Sequence, residues 1–328
     1  MNKLTITALK VLRKIYATTL GNKRVVLPPC DQNPDTASKL IYDALKSDKP
    51  CMIGRFGAVE LSTLVNYIGV KGRRKNILNY IKGNELDWWW NQSLLNSMHT
   101  NAGFFPPTKD KTSQFCELML NDIHQVDILG SWLASEKQVE EGMSATRVHL
   151  RLLEPFWSIT PWTKALAGKK VLVIHPFSDT ILNQYNKREL LFKNKDILPK
   201  FASITVIKAV QSIGVGDDRF LDWFEALEFM KNEINKQDYD ICLIGAGAYG
   251  FPLAAHVKRM GKKSVHMGGA LQLLFGIKGK RWEDPNYGVR EWGIEPKAYT
   301  TLINNHWVRP DETEKPETAN QVEGACYW

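Results

Sequence analysis

The chain is 328 residues long, 44% hydrophobic and 24% charged, which is enough apolar material to build a core and excludes disorder over most of its length. Its formal net charge of +8 suits anionic partners such as nucleotide phosphates or lipid headgroups. No apolar run approaches the ~20 residues of a membrane-spanning helix, and five scattered cysteines without a CxxC pair disfavour a disulfide framework or cysteine zinc site and fit a reducing, cytoplasmic compartment.

The opening stretch, MNKLTITALKVLRKIY, lacks the uninterrupted apolar segment and small-residue cleavage site of a secretory signal. Lys3, Lys10, Arg13, Lys14, Lys23 and Arg24 concentrate positive charge there, and Leu4, Ala8, Val11, Leu12 and Ile15 form a loosely helical apolar stripe. This combination suits a helix lying on an anionic membrane surface. It suits better a terminal helix packed on the domain with a solvated basic face, which is the expected arrangement. Residues 21–36 are rich in turn formers, so 1–35 reads as a basic helix with its connector.

From 36 to 308 one grammar repeats: a short apolar run, a turn that is often glycine-rich, then an amphipathic helical stretch. The runs at 50–54, 126–131, 170–175, 203–208, 240–245 and 263–267 carry continuous Val, Ile and Leu, as buried parallel strands do. The alternation predicts a single Rossmann-like α/β domain with a doubly wound, mostly parallel sheet. Residues 80–125, with Trp88-Trp89-Trp90, break the rhythm and read as a helical insertion over a sheet edge. Residues 309–328 are largely polar and acidic, with prolines, and read as a surface tail.

In open α/β sheets ligands sit beyond the carboxyl ends of the strands, so the residues just after each run are the candidates. Gly245, Gly247, Tyr249 and Gly250 form the best turn, where glycines bring backbone N–H groups to a phosphate at a helix N-terminus. No acid ends the following strand to hold a ribose, so this is a poor dinucleotide fingerprint. Arg55, Phe56 and Gly57 follow the first run; Arg55 offers a planar fork of donors for a phosphate. Glu60, a turn later, is placed to accept from hydroxyls, to bind a metal, or simply to pair with Arg55. His175 and Asp179 follow the third run as candidate general bases. His266, Gly268 and Gly269 offer another anion-accepting turn, and the string Lys278, Lys280 and Arg281 either holds a diphosphate or is solvated. HExxH, GxxxxGK[ST] and GxSxG motifs are absent, as is any RNA-binding signature, so nucleic acid is not an expected partner.

The pairing of MIGRFGAVEL with DICLIGAGAYGFPLAAHVKRMGKKSVHMGG resembles the GT-D-type bacterial glycosyltransferases, in which an early strand–turn–helix reads RFGDGE. The resemblance spans roughly 38–282. It implies a nucleoside-diphosphate sugar donor, UDP-linked, and a glycan or lipid-linked glycan acceptor in the assembly of surface polysaccharide or glycoprotein. Carried over by position, Arg55, Phe56, Gly57 and Glu60 match the motif. Ala58 stands where the family has an aspartate, and Val59 replaces the glycine. A divalent metal is therefore not expected to be essential, and no cofactor is required. Glu60, His175 and Asp179 are the expected catalytic groups. A different nucleotide-dependent Rossmann enzyme, such as an oxidoreductase, and a non-catalytic scaffold on the same fold are the alternatives.

Overall fold

The computed structural model of the chain describes residues 2–21, 26–73, 75–321 and 324–328; Lys23 and Arg24 of the basic N-terminal set lie outside them. The six expected runs fall in one sheet as β1 (Cys51–Gly54), β2 (Ile128–Ser131), β4 (Lys170–His175), β5 (Ser203–Lys208), β6 (Ile241–Ile244) and β7 (Lys263–His266). A seventh strand, β3 (Thr146–His149), completes the order β3-β2-β1-β7-β6-β4-β5. Every neighbouring pair is parallel, so the sheet is wholly rather than mostly so. The apolar signal was absent at β3 because its Thr-Arg-Val-His buries only Val148 fully. It is an edge strand, and the connector residue Asp31 bridges to Val148 across it.

Among the described residues the α-helices, in chain order, are α1 (Lys3–Thr19), α2 (Pro34–Lys46), α3 (Ala58–Lys71), α4 (Ile77–Ile81), α5 (Gln92–Thr100), α6 (Lys109–Asp122), α7 (Ser178–Tyr185), α8 (Arg188–Leu191), α9 (Trp223–Asn235), α10 (Gly250–Arg259), α11 (Leu271–Leu274), α12 (Lys280–Glu283) and α13 (Val289–Trp292). Their starts follow local chemistry. Asn33 accepts from the Asp35 and Thr36 N–H groups with Pro34 in the first turn of α2, and Asp222 does the same for Phe224 and Glu225 in α9.

Alternate strand residues face two separate cores, which is why the runs read as continuously apolar. Ile53, Val171, Val173, Leu243 and Val265 pack with α2, α7 and α11 on one face. Met52, Leu129, Leu172, Ile174 and Ile244 pack with α3, α6, α9 and α10 on the other. The 80–125 segment is more than an edge cap. Its α6 buries Phe115, Cys116 and Met119 in the second core, as part of the crossover from β1 to β2. The tryptophans are packing residues: Trp88 and Trp89 meet Tyr80 edge-on, and Trp90 lies against Tyr67.

The closing segment is not a surface tail. Ala319, Cys326 and Trp328 are buried in the first core. Glu314, 2% exposed, reaches from it to the start of α7, where it accepts from the Asp179 and Thr180 N–H groups and the Thr180 hydroxyl. Among the described residues no helix is long and apolar enough to cross a membrane.

Candidate functional site

From β1 the chain winds outward to β2 and β3 on one side, crosses to β4 and β5 on the other, and comes back through β6 to β7 beside β1. The reversal opens a crevice beyond the carboxyl ends of β1 and β7, the place where such sheets bind ligands. A cavity of about 640 Å³ occupies it, bordered by Arg55 after β1, Trp132 after β2, His149 at the end of β3, His175 at the end of β4, Gly245 after β6 and His266 at the end of β7. Five of the expected strand ends thus converge, and β3 adds a sixth.

The β1 turn supplies the charge. Arg55 is half-buried, and its guanidinium lies 5.3 Å from the centre of the Trp132 ring, a cation–π contact. Its stem runs against Gly268. Trp132 is itself fixed. Its ring N–H donates to the Phe56 carbonyl at 3.2 Å, and its backbone N–H donates to the buried Glu136 carboxylate at 2.9 Å. Among the described residues no hydrogen bond or ion pair within 4.0 Å satisfies the Arg55 guanidinium, so the expected alternative of a closed Arg55–Glu60 pair is not formed. Glu60 borders the same cavity at the start of α3. Its carboxylate folds back over Gly57, where an added Cβ would lie 1.9 Å from an oxygen. A side chain at position 57 would push this carboxylate from its place. Desolvation raises the Glu60 pKa above the ordinary carboxylate range, against the opposing pull of its own N–H and of Arg55.

Two imidazoles line the floor. His175 accepts the Phe177 N–H on Nδ1 at 3.1 Å, so its neutral ring carries the proton on Nε2. Burial pushes its pKa down to about 3. His266 donates from Nδ1 to the Ile244 carbonyl at 3.3 Å. Burial, and then the nearby Arg55 charge, push it down to about 3 as well. Both rings are neutral through the physiological range. His175 is therefore a polar wall and not the general base expected of it, because its basic lone pair is already engaged.

The glycines around this floor make room for side chains. A Cβ on Gly250 would sit 2.1 Å from the His266 ring, and one on Gly269 2.1 Å from the Tyr327 ring. Gly245 and Gly247 border the cavity, as do Gly268 and Gly269. Gly250, Phe56 and Tyr249 do not. Phe56 stacks on Phe251 at 4.9 Å, and Tyr249 stacks on Trp223 at 4.9 Å with its hydroxyl 3.0 Å from that of Ser212. Asp179 is exposed on α7, outside the cavity, and is removed from the catalytic set.

The outer wall comes from the end of the chain. Arg281, Tyr287, Glu291, Trp292, Tyr327 and Trp328 border the cavity. The Arg281 guanidinium lies 4.8 Å from the Tyr327 ring centre and 5.8 Å from that of Tyr287. Of the expected basic string only Arg281 reaches the cavity; Lys278 pairs with Glu283 at 3.1 Å and Lys280 is exposed. Trp132 had a legible signal, as the first residue after a strand-like run. The C-terminal aromatics had none, since their sequence reads as a polar stretch.

No protein-family model, curated protein or solved structure matches this chain. The resemblance to GT-D enzymes therefore rests on its residues alone. A divalent ion of the sort an Asp-x-Glu pair would hold does not fit this turn. Ala58 offers no oxygen, Glu60 is folded onto Gly57 near a guanidinium, and among the described residues no three His, Cys, Asp or Glu side chains gather as a ligand set.

Proposed function

We propose that the chain is a GT-D-like glycosyltransferase that moves a sugar from a nucleoside diphosphate, UDP in the first instance, to a glycan hydroxyl. The observation that carries this reading is the Arg55 guanidinium. It is half-buried at the switch-point crevice, braced by Trp132 and without a protein counter-ion among the described residues, which suits a phosphate-bearing ligand. The cavity of about 640 Å³ is of a size that buries a nucleotide-sized molecule, and its aromatic walls suit a base and a sugar ring.

In this mechanism Glu60 takes the proton of the acceptor hydroxyl as its oxygen bonds to the anomeric carbon. The bond from that carbon to the diphosphate oxygen breaks, and Arg55 and Arg281 offset the charge on the departing diphosphate. A carboxyl with a raised pKa is a stronger base once ionised, which is what the step requires. No metal enters. Calorimetry with UDP tests the reading: saturable binding that survives EDTA is expected. Absence of UDP binding at millimolar concentration removes the nucleotide-sugar assignment, and binding restored only by manganese removes the metal-free version of it.

A further inference from the structure

The N-terminal helix has two apolar faces, and among the described residues only one is covered. At about 100° per residue, Ile6, Leu9 and Arg13 share the side of α1 that packs on α4. Leu9 is buried with Tyr80 and Trp89, and the Arg13 guanidinium lies 4.7 Å from the Tyr80 ring centre. On the far side Leu4, Ala8, Val11, Leu12 and Ile15 fall within an arc of about 100°. There Leu4 is 82% exposed, Val11 50%, Leu12 47% and Ile15 53%. Lys3, Lys10 and Lys14, all exposed, form a stripe along one flank of this arc, and α1 contains no acidic residue. Next to it α4 leaves Ile77 and Leu78 exposed, with Arg73, Lys75 and Lys82 exposed around them. The two carboxylates nearby are engaged: Asp87 pairs with Arg13 at 3.6 Å and accepts from the Tyr80 hydroxyl, and Glu85 accepts the Asn76 N–H.

A solvated helix would show its lysines, not its leucines, as the centre of the free face. An apolar arc edged by unopposed lysines is the arrangement of a helix lying in the plane of a bilayer interface, apolar side chains among the acyl chains and ammonium groups at the phosphates. We propose that α1 docks the protein on an anionic lipid surface through Leu4, Val11, Leu12 and Ile15, with Lys3, Lys10 and Lys14 at the headgroups. Ile6, Leu9 and Arg13 stay on α4, so the domain is held at the membrane by a helix it does not release. This docking is independent of the sugar-transfer reading and is measured without substrate.

The test is cosedimentation of the full chain with vesicles of phosphatidylcholine alone and of equal parts phosphatidylcholine and phosphatidylglycerol. Binding to the anionic vesicles only, weakened by high salt, is expected. The Lys3→Gln/Lys10→Gln/Lys14→Gln variant should bind roughly a hundredfold more weakly, the product of three lysine–headgroup contacts. Val11→Asn/Ile15→Asn should abolish cosedimentation at the wild-type melting temperature, since both side chains are exposed. Equal binding of wild type and either variant overturns the proposal, as does equal binding to both vesicle types. Sedimentation velocity gives the remaining outcome: a dimer without lipid that Val11→Asn/Ile15→Asn dissociates would assign the face to a second copy and overturn membrane docking.

Discussion

Arg55 and Glu60 divide the work of the proposed reaction, and the division is measurable. Arg55→Ala should weaken UDP binding by ~1–3 kcal/mol in calorimetry, the range of a charge-assisted hydrogen bond. Unchanged binding would make Arg55 a purely structural partner of Trp132. Glu60→Gln should leave UDP binding nearly intact and lower turnover by roughly 10²–10⁴-fold, the contribution of a general base. Because burial raises the Glu60 pKa, the acid limb of the pH–rate profile should lie above the ordinary glutamate range and disappear in Glu60→Gln. A second carboxyl makes a separate prediction. Glu154 is 8% exposed, accepts from the Tyr299 hydroxyl and the Trp157 ring N–H, and is pushed by burial from 4.5 up to about 7. Below pH 4.5 folded and unfolded states both hold the proton. As pH rises toward about 7 the unfolded chain releases it while the folded one keeps it, so stability falls across that window. The loss is on the order of 3 kcal/mol. Denaturant unfolding across this pH range should show a downward slope in the wild type that is reduced in Glu154→Gln; equal slopes would refute the assignment.

At the scale of the elements, the junction of α10 with β7 is set by one missing methyl group. Gly250 has ordinary helical backbone angles, φ −60° and ψ −43°, so alanine there would normally favour the helix. The His266 ring occupies the space instead, 2.1 Å from where the Cβ would be. Gly250→Ala should therefore destabilise the protein by ~1–3 kcal/mol through overpacking. In the Gly250→Ala/His266→Ala double variant the two costs should sum to less than their separate values, because the methyl then enters vacated space. Additive costs in urea unfolding would mean that the ring and the helix are not in contact. The same device, a ring or carboxylate laid on a glycine, recurs at Gly269 beneath Tyr327 and at Gly57 beneath Glu60.

For the whole molecule the end of the chain closes the site. Trp328 is 7% exposed and meets Phe177 edge-on at 5.8 Å, and the Gln272 side chain donates to the Tyr327 carbonyl at 3.1 Å. Trp328→Ala should cost ~3–5 kcal/mol, the range for deleting a buried tryptophan side chain. It should weaken UDP binding along with stability, since the ring borders the cavity. A variant with wild-type unfolding would show that the last residues are a free tail after all. Phe177 after β4 and Gln272 on α11 thus join the C-terminus to the sheet.

The sequence by itself determined six of the seven strands. Runs such as Val171–Ile174 and Ile241–Ile244 are apolar at every position because both faces are buried, and that pattern is a local property. It also marked Arg55, Gly57, Glu60, Gly245 and Gly268 as residues of strand ends, since the carboxyl edge of a parallel sheet collects its ligand-binding groups. Only the tertiary structure decided which of those groups meet. Phe56 and Tyr249 sit inside the same turns but point into the core, because side-chain direction depends on packing partners far away in sequence. β3 was invisible for a related reason: an edge strand needs few apolar residues. The C-terminal wall was the largest gap. Residues 309–325 are polar along most of their length, and what fixes them is long-range: the Glu314 carboxylate at the start of α7, and the Tyr327 ring over Gly269. Local composition records how a segment would behave alone, and these residues never are.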